Sequence, residues 1–487
     1  MNRRKFIQAA ATTVSGLTPA FGTSGTDLSV GELVKWLEQS PREHIPRDLV
    51  RMVRTGLRYQ DLLAALSLAG VRNVQPYPDV GYKYHSIMVL RAIRSATERL
   101  APAEKWLPIA WAADYFKTTQ AEERAASGWR LPPRSTAAVG DREAARRALV
   151  RALDDWDRDA ADAAIVRYAQ AASLDDVFSV LFAYGARDLR AIGHKAITVS
   201  NAHSLVAALG TIHAEPILRS TVAALQNSEG QPDPARHSLP ADRPWRQNQA
   251  QLGEIPQSWK VGHDDIGARR ELRASLYRMS QDTIGTFVVG LLKQGISPES
   301  IWRVLFDTAA ELLLRQQSVV LVHAQTTANA LHYAFRVCDN EQTQQLMLLQ
   351  CAAFIAMFRT LATTARPDFD LESLQPLPLD SRGEVAVTEI FADVSAGQRL
   401  QAAGKSLGYL QSGGDPDALI ETARHHLIYN ADEPHDYKFS EAVFDNYSHL
   451  ADSAWRSRFL SAGMGYFKAP AQQPNPVVRE MIELSKG

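Results

Sequence analysis

Apolar residues recur at i, i+3, i+4 and i+7 along most of the chain, in stretches such as SVGELVKWLEQ, DLVRMVRTGL, YQDLLAALSLAG, REAARRALVRALDDW and AADAAIVRYAQAA. That spacing puts the apolar side chains on one face of a helix. Asp and Ser stand just before many of these runs as N-caps. Strand-like alternation is scarce, so the expected class is all-α. Three stretches break the pattern: 227–262, which is polar, proline-rich and aperiodic and reads as a linker or long surface loop; 366–384; and GWRLPPRSTAAVG, beginning at Gly128.

The two sides of the main break resemble one another. LVRMVRTGLRYQDLLAALSLAG begins at Leu49 and FVVGLLKQGISPESIWRVLFDT at Phe287, and Gly56 and Gly295 align with an offset of 239. Each copy reads as an apolar helix, a glycine, a polar turn and a second apolar helix, with Leu62 and Leu66 matching Ile301 and Leu305. The histidines repeat in the same register. His85 and His323 are 238 apart, His194 and His435 are 241 apart, and the intervals within the halves are 109 and 112. With 13 histidines in the chain, this recurrence is hard to obtain by accident. The expected architecture is two pseudo-symmetric helical halves fused into one body: a repeat over 28–226, the linker or loop over 227–262, and a second repeat over 263–487.

Composition narrows the picture. A net charge of -1 gives no electrostatic case for nucleic acid. Two cysteines, Cys338 and Cys351, make no disulfide framework, and Cys351 lies in an apolar run that suits a buried thiol. Beyond the N-terminus no stretch has the roughly 18–20 apolar residues that span a bilayer. The N-terminus, MNRRKFIQAAATTVSGLTPA, has paired arginines followed by a mildly apolar run and small residues near Ala20. Residues 1–27 therefore resemble a twin-arginine signal peptide, implying the twin-arginine export machinery as partner and a periplasmic or extracellular location. That route carries folded proteins, often with a cofactor already in place.

Fusing two helical copies places equivalent side chains around a common axis. His85, His194, His323 and His435 are thereby candidates for one metal site. Four imidazoles with positions left over suit non-haem iron, with copper or zinc as alternatives. Noncovalent bis-histidine haem also stays open. Thr198 and Asn201 follow His194 at i+4 and i+7, while Thr326 and Asn329 accompany His323; these groups suit orientation of the imidazoles or contact with a substrate. His435, Lys438 and Glu441 are spaced by three. Lys438 is a candidate acid, base or electrostatic clamp, with an ordinary Lys438–Glu441 pair as the alternative, and Tyr82 is a second candidate for proton transfer. His203 falls on the opposite side of its helix from His194. No Gly-x-Ser-x-Gly elbow, phosphate loop, His-Glu-x-x-His, Cys-x-x-Cys-His or nucleotide-binding glycine loop is present.

Three stretches carry a family resemblance. EPHDYKFSEA resembles the Glu-x-His-x-x-Lys-x-x-Glu-Ala segment of questin oxidase-like proteins. VHAQTTANAL, with His323, Thr326, Ala330 and Leu331, is similar to their His-x-x-Thr-x-x-x-Ala-Leu segment. YKYHSIMVLRAI, with Tyr84 and His85, is similar to their Phe-His-x-x-Ile-Arg-x-Ala stretch. The resemblance covers under a tenth of the chain and implies functional positions at His85, His323, His435 and Lys438. It also implies oxygen insertion beside a ketone of an aromatic polyketide, with NADPH as reductant.

The expected function is an exported metal-dependent oxidoreductase that uses O2 on a small organic substrate of aromatic or polyketide-like type. Two alternatives stand beside it. One is a zinc-dependent hydrolase on the same histidines, in which the metal lowers the pKa of bound water to about 7. The other is a non-enzymatic helical scaffold.

Overall fold

The structure, a computed structural model, describes residues 28–77, 80–134, 141–362, 369–451 and 453–486. The export-signal stretch 1–27 lies outside the described residues. Among the described residues the fold is all-α, with no strand. In chain order the helices are α1 (Val30–Gln39), α2 (Ile45–Arg54), α3 (Tyr59–Asn73), α4 (His85–Met88), α5 (Leu90–Thr97), α6 (Trp106–Ala126), α7 (Arg142–Asp154), α8 (Arg158–Ala171), α9 (Leu174–Gly185), α10 (His194–Leu209) and α11 (Ala214–Leu225). There follow α12 (Arg243–Ala250), α13 (Ile266–Arg278), α14 (Ile284–Lys293), α15 (Pro298–Arg315), α16 (Val319–Val337) and α17 (Glu341–Leu361). The last six are α18 (Gly383–Ser395), α19 (Arg399–Gln411), α20 (Pro416–Asn430), α21 (Pro434–Ser448), α22 (Ser453–Ala462) and α23 (Pro476–Lys486).

Side chains start these helices where the sequence supplies cap residues. Ser29 and Ser173 form capping boxes with Glu32 and Asp176. Asp141, Asp157, Ser297 and Ser318 accept hydrogen bonds from first-turn amides. Each bond satisfies an amide that the helix cannot pair internally. Pro46, Pro298, Pro416 and Pro434 stand in first turns, where the missing N–H costs nothing.

The apolar faces merge into one continuous core. Helices far apart in sequence pack together at its centre: α10 against α16, α16 against α21, and α21 against α5. The C-terminal helix α23 packs on α2 and α6, tying the chain's end to its first hundred or so residues. Residues 227–262 contain α12 and bury Trp245 and Trp259 in the same core. Cys338 and Cys351 are buried free thiols. Among the described residues no helix is long and apolar enough to cross a membrane.

Candidate metal centre

Each of the four histidines sits near the start of a different helix, and local chemistry fixes each start. His85 opens α4 directly after a 3-10 turn, Tyr82–Tyr84. The turn is held by Lys83 to Glu123 at 2.7 Å and by Tyr84 Oη with Ser220 Oγ at 2.6 Å. His323 lies one turn into α16. His435 is the second residue of α21, whose start is set by Pro434 and by reciprocal capping between Glu433 and Asp436.

His194 enters most unusually. Ala191, Ile192 and Gly193 have φ of 50°, 43° and 86°, so the chain takes a left-handed turn immediately before α10. Left-handed geometry at the β-branched Ile192 is strained. Buried ion pairs brace both sides of the turn: Lys195 Nζ to Asp188 Oδ2 at 2.7 Å, and Arg190 with both oxygens of Asp242 at 2.6 and 2.8 Å. Thr327, on α16, donates to the Ile192 carbonyl at 3.4 Å and so links this turn to the helix that carries His323.

The four rings, all buried, meet at one interior point. Nε2 of His323 is 2.8 Å from Nε2 of His194, which is 3.3 Å from Nε2 of His85, which is 2.9 Å from Nε2 of His435. One nitrogen from each ring lies within 4.8 Å of the other three. The outer nitrogens say which protons are present. His323 Nδ1 donates to the Val319 carbonyl at 2.8 Å, and His435 Nδ1 faces the Glu433 carboxylate at 3.3 Å. Both rings therefore carry their proton on Nδ1 when neutral, leaving a bare Nε2 lone pair aimed inward. Hydrogen bonds cannot satisfy the whole set. If His194 and His85 donate outward to His323 and His435, their own N–H groups confront each other. A cation bound by four lone pairs satisfies every inward nitrogen, and outer bonds such as those of His323 and His435 are what orient imidazoles on a metal; His194 Nδ1 has no hydrogen-bond partner among the described residues.

Electrostatics agree. Burial holds all four imidazoles below their usual pKa, and the nearby Lys438 charge pushes the same way. Glu433 opposes that shift at His435 without overcoming burial. Neutral imidazole is the ligating form. A pH dependence follows. Below about 6.5 an unfolded chain protonates its histidines while the folded rings resist, so stability must fall as pH drops. Chelator-stripped protein is expected to lose about 1 kcal/mol per pH unit for each ring that stays neutral, between pH 6.5 and 5.5. Urea midpoints that do not change over that range count against neutral, buried rings.

A cavity of ≈ 230 Å³ lies beyond the four histidines, none of which lines it. Met88, Ile197, Thr326 and Lys438, each three positions after one of the four histidines, are in its wall. So are Ala92, Asn201, Ala330 and Ala442, each seven positions after. The stretches that carry the imidazoles thus continue in the same register into the cavity wall, which also includes the exposed Glu98 and Arg336.

Of the other candidate residues, Asn201, Thr326, Asn329, Lys438 and Glu441 line this cavity and Thr198 does not. Asn201 accepts from the Arg91 amide at 2.8 Å and donates to the Ile87 carbonyl at 2.7 Å, gripping the backbone where α4 meets α5. Thr326 bonds the Val322 carbonyl of its own helix at 3.4 Å. Asn329 bonds Asp445 at 2.7 Å and Asn446 at 2.9 Å. Glu441 accepts from Ser95 at 2.7 Å and from Arg424 at 3.4 Å. Thr198 is buried, and its hydroxyl has no hydrogen-bond partner among the described residues. Lys438 is 5% exposed, its ammonium has no hydrogen-bond partner among the described residues, and burial lowers it to about 7 against the pull of Glu433. The side chain of Tyr82 lies outside the described residues. His203 bonds Tyr333 Oη at 2.8 Å, away from the ring.

Sequence reasoning did not single out Arg91, Tyr333 or Asp445. Arg91 stacks 4.1 Å over the Tyr333 ring and reaches Asp445 at 3.3 Å, forming one cavity wall. Their only signal is helical spacing from the histidines. No protein-family model, curated protein or solved structure matches this chain.

Proposed function

We propose that the protein is an exported metal-dependent oxidoreductase that uses O2 on a small organic substrate, with non-haem iron, or copper, in the four-histidine ring. The observation that carries the reading is the set of four inward lone pairs, one helical turn from residues that line a cavity. A structural metal site is closed, whereas a catalytic one keeps positions for other ligands.

Ring geometry bears on the choice of metal. Neighbouring imidazole centroids are 4.9, 4.4, 4.9 and 4.5 Å apart around the ring, while His85 and His323, across it, are 6.3 Å apart. Tetrahedral ligands would be mutually equidistant, with nitrogens about 3.4 Å apart for bonds near 2.1 Å. Short edges and a longer diagonal fit the equator of a six-coordinate or tetragonal ion, which favours iron or copper over zinc. A redox metal held there would pass electrons to O2 from an external two-electron reductant, which insertion of one oxygen atom and release of the other as water consumes. The protein's part is to hold four neutral imidazoles, keep bulk water off them, and place Lys438 beside the reacting space. The resemblance to questin oxidase-like proteins at His85, His323, His435 and Lys438 supports oxygen insertion on an aromatic or polyketide-like ketone.

The same ring supports the duplication. A twofold axis exchanging His85 with His323 and His194 with His435 pairs the 4.9 Å edges with each other and the 4.4 and 4.5 Å edges with each other. Gly56 and Gly295 both have left-handed φ, 99° and 80°, between matching helix pairs. The paired arginines, Arg3 and Arg4, support periplasmic delivery.

Elemental analysis of protein purified without chelators, followed by O2 uptake with a reductant and phenolic or cyclic ketone substrates, tests this function. About one iron or copper per chain and substrate-dependent uptake are expected. A redox-inert metal, or uptake unaffected by chelation, sinks the oxygenase reading.

A further inference from the structure

The wall chemistry of the cavity narrows the molecule it accepts. A divalent ion in the ring and the Lys438 ammonium, one helical turn along from His435, gather positive charge at one side of this space. The nearby carboxylates are already engaged. Glu441 is held by Ser95 and Arg424, Asp445 by Arg91 and Asn329, and Glu98 by Arg94 at 2.5 Å. Lys438 is left as a buried donor with no hydrogen-bond partner among the described residues, on a wall that also presents Met88, Ile197 and Ala330. A buried polar group without a partner is costly unless a ligand or water satisfies it.

We propose that the cavity binds a small organic anion, its acidic oxygen held by the Lys438 ammonium and its apolar body against Met88, Ile197 and Ala330. This names the substrate class for the proposed oxidoreductase and rests on that reading for the second positive charge. The volume of ≈ 230 Å³ equals about seven or eight waters at roughly 30 Å³ each, room for one substituted ring. An anionic oxygen beside the ammonium offsets part of this positive charge, which a neutral ligand cannot do. Lys438 fixes which end of the ligand points to that side.

The test is calorimetric titration of the purified protein with benzoate and with benzamide, a neutral analogue of the same shape, with metal content measured on each sample. Benzoate is expected to bind at least about tenfold more tightly, as a charge-assisted hydrogen bond in a buried site allows. K438M should abolish that preference by weakening benzoate binding at least about tenfold more than benzamide binding, while K438R should restore part of it. Equal affinities in the unmutated protein, no benzoate binding, or a preference surviving in K438M would each overturn the proposal. If K438M does not fold, the comparison in the unmutated protein still decides. The two readings fail separately. A Lys438-dependent preference in protein that takes up no metal retains the anion pocket and removes the metal. Bound metal without a preference does the reverse.

Discussion

Alanine at any one of His85, His194, His323 or His435 is expected to strip the protein of its metal. Each ring supplies one inward lone pair, and no other His, Cys, Asp or Glu among the described residues belongs to the cluster. Loss should be steepest at His194 and His85. Each of these contacts two neighbours in the chain of Nε2 atoms, whereas His323 and His435 lie at its ends. After dialysis against a mild chelator, metal content should fall below about a tenth of the unmutated level, because binding requires the full ligand set and its outer hydrogen bonds. Stability separates a metal site from a buried polar core. With metal present, the alanine variants should melt lower than the unmutated protein. With chelator present, the gap should shrink, since each substitution also removes a lone pair that faces another. Equal metal content in all five proteins would remove the metal centre.

How far the chain's own letters carried this picture depends on the range of the interaction. Helices were legible because their signal is local: periodicity, caps such as Ser29 and Ser173, and first-turn prolines such as Pro434. The four histidines were legible because they recur at matched intervals, a long-range signal that needs no contact information. The cavity was not, although Met88, Ile197, Thr326 and Lys438 all stand at i+3 from a histidine. Four different side-chain types at equivalent positions carry no common letter, and only folding shows that their faces meet. Asn201 fell where spacing placed it, on the His194 face, yet its partners are the backbone of the segment carrying His85. The network of Asp188, Arg190, Lys195 and Asp242 was illegible for another reason. Arg190 and Asp242 are 52 residues apart, and nothing local marks them as partners. Trp245 and Trp259 stand in a polar stretch, and single aromatics without period give no sign of which core they enter.

The second large effect is expected at Gly193. A methyl group there would collide with the Thr327 side chain, and φ of 86° is unfavourable for any residue with a Cβ. The two penalties, about 1 kcal/mol for the backbone and about 1–3 kcal/mol for overpacking, predict a loss of about 2–4 kcal/mol in G193A. They separate experimentally. Gly413, just past α19, has φ of 87° in a left-handed helix end closed by the Gly414 amide on the Tyr409 carbonyl, with nothing within 4 Å of an added methyl, so G413A reports the backbone cost alone. T327A removes the colliding hydroxyl and methyl but keeps a Cβ 2.9 Å from the added methyl, so G193A/T327A should recover most of the overpacking part and leave a deficit somewhat above that of G413A. Metal content tracks geometry in the same series. The left-handed turn aims His194, so relieving the collision by shifting the turn moves Nε2 away from His323 and His85. G193A should therefore bind metal about 10–100-fold more weakly, as when a group that orients a ligand is lost, while G413A keeps full affinity. If G193A costs no more than G413A and retains its metal, the turn does not position His194, and the strain at Ile192 has no part in building the centre.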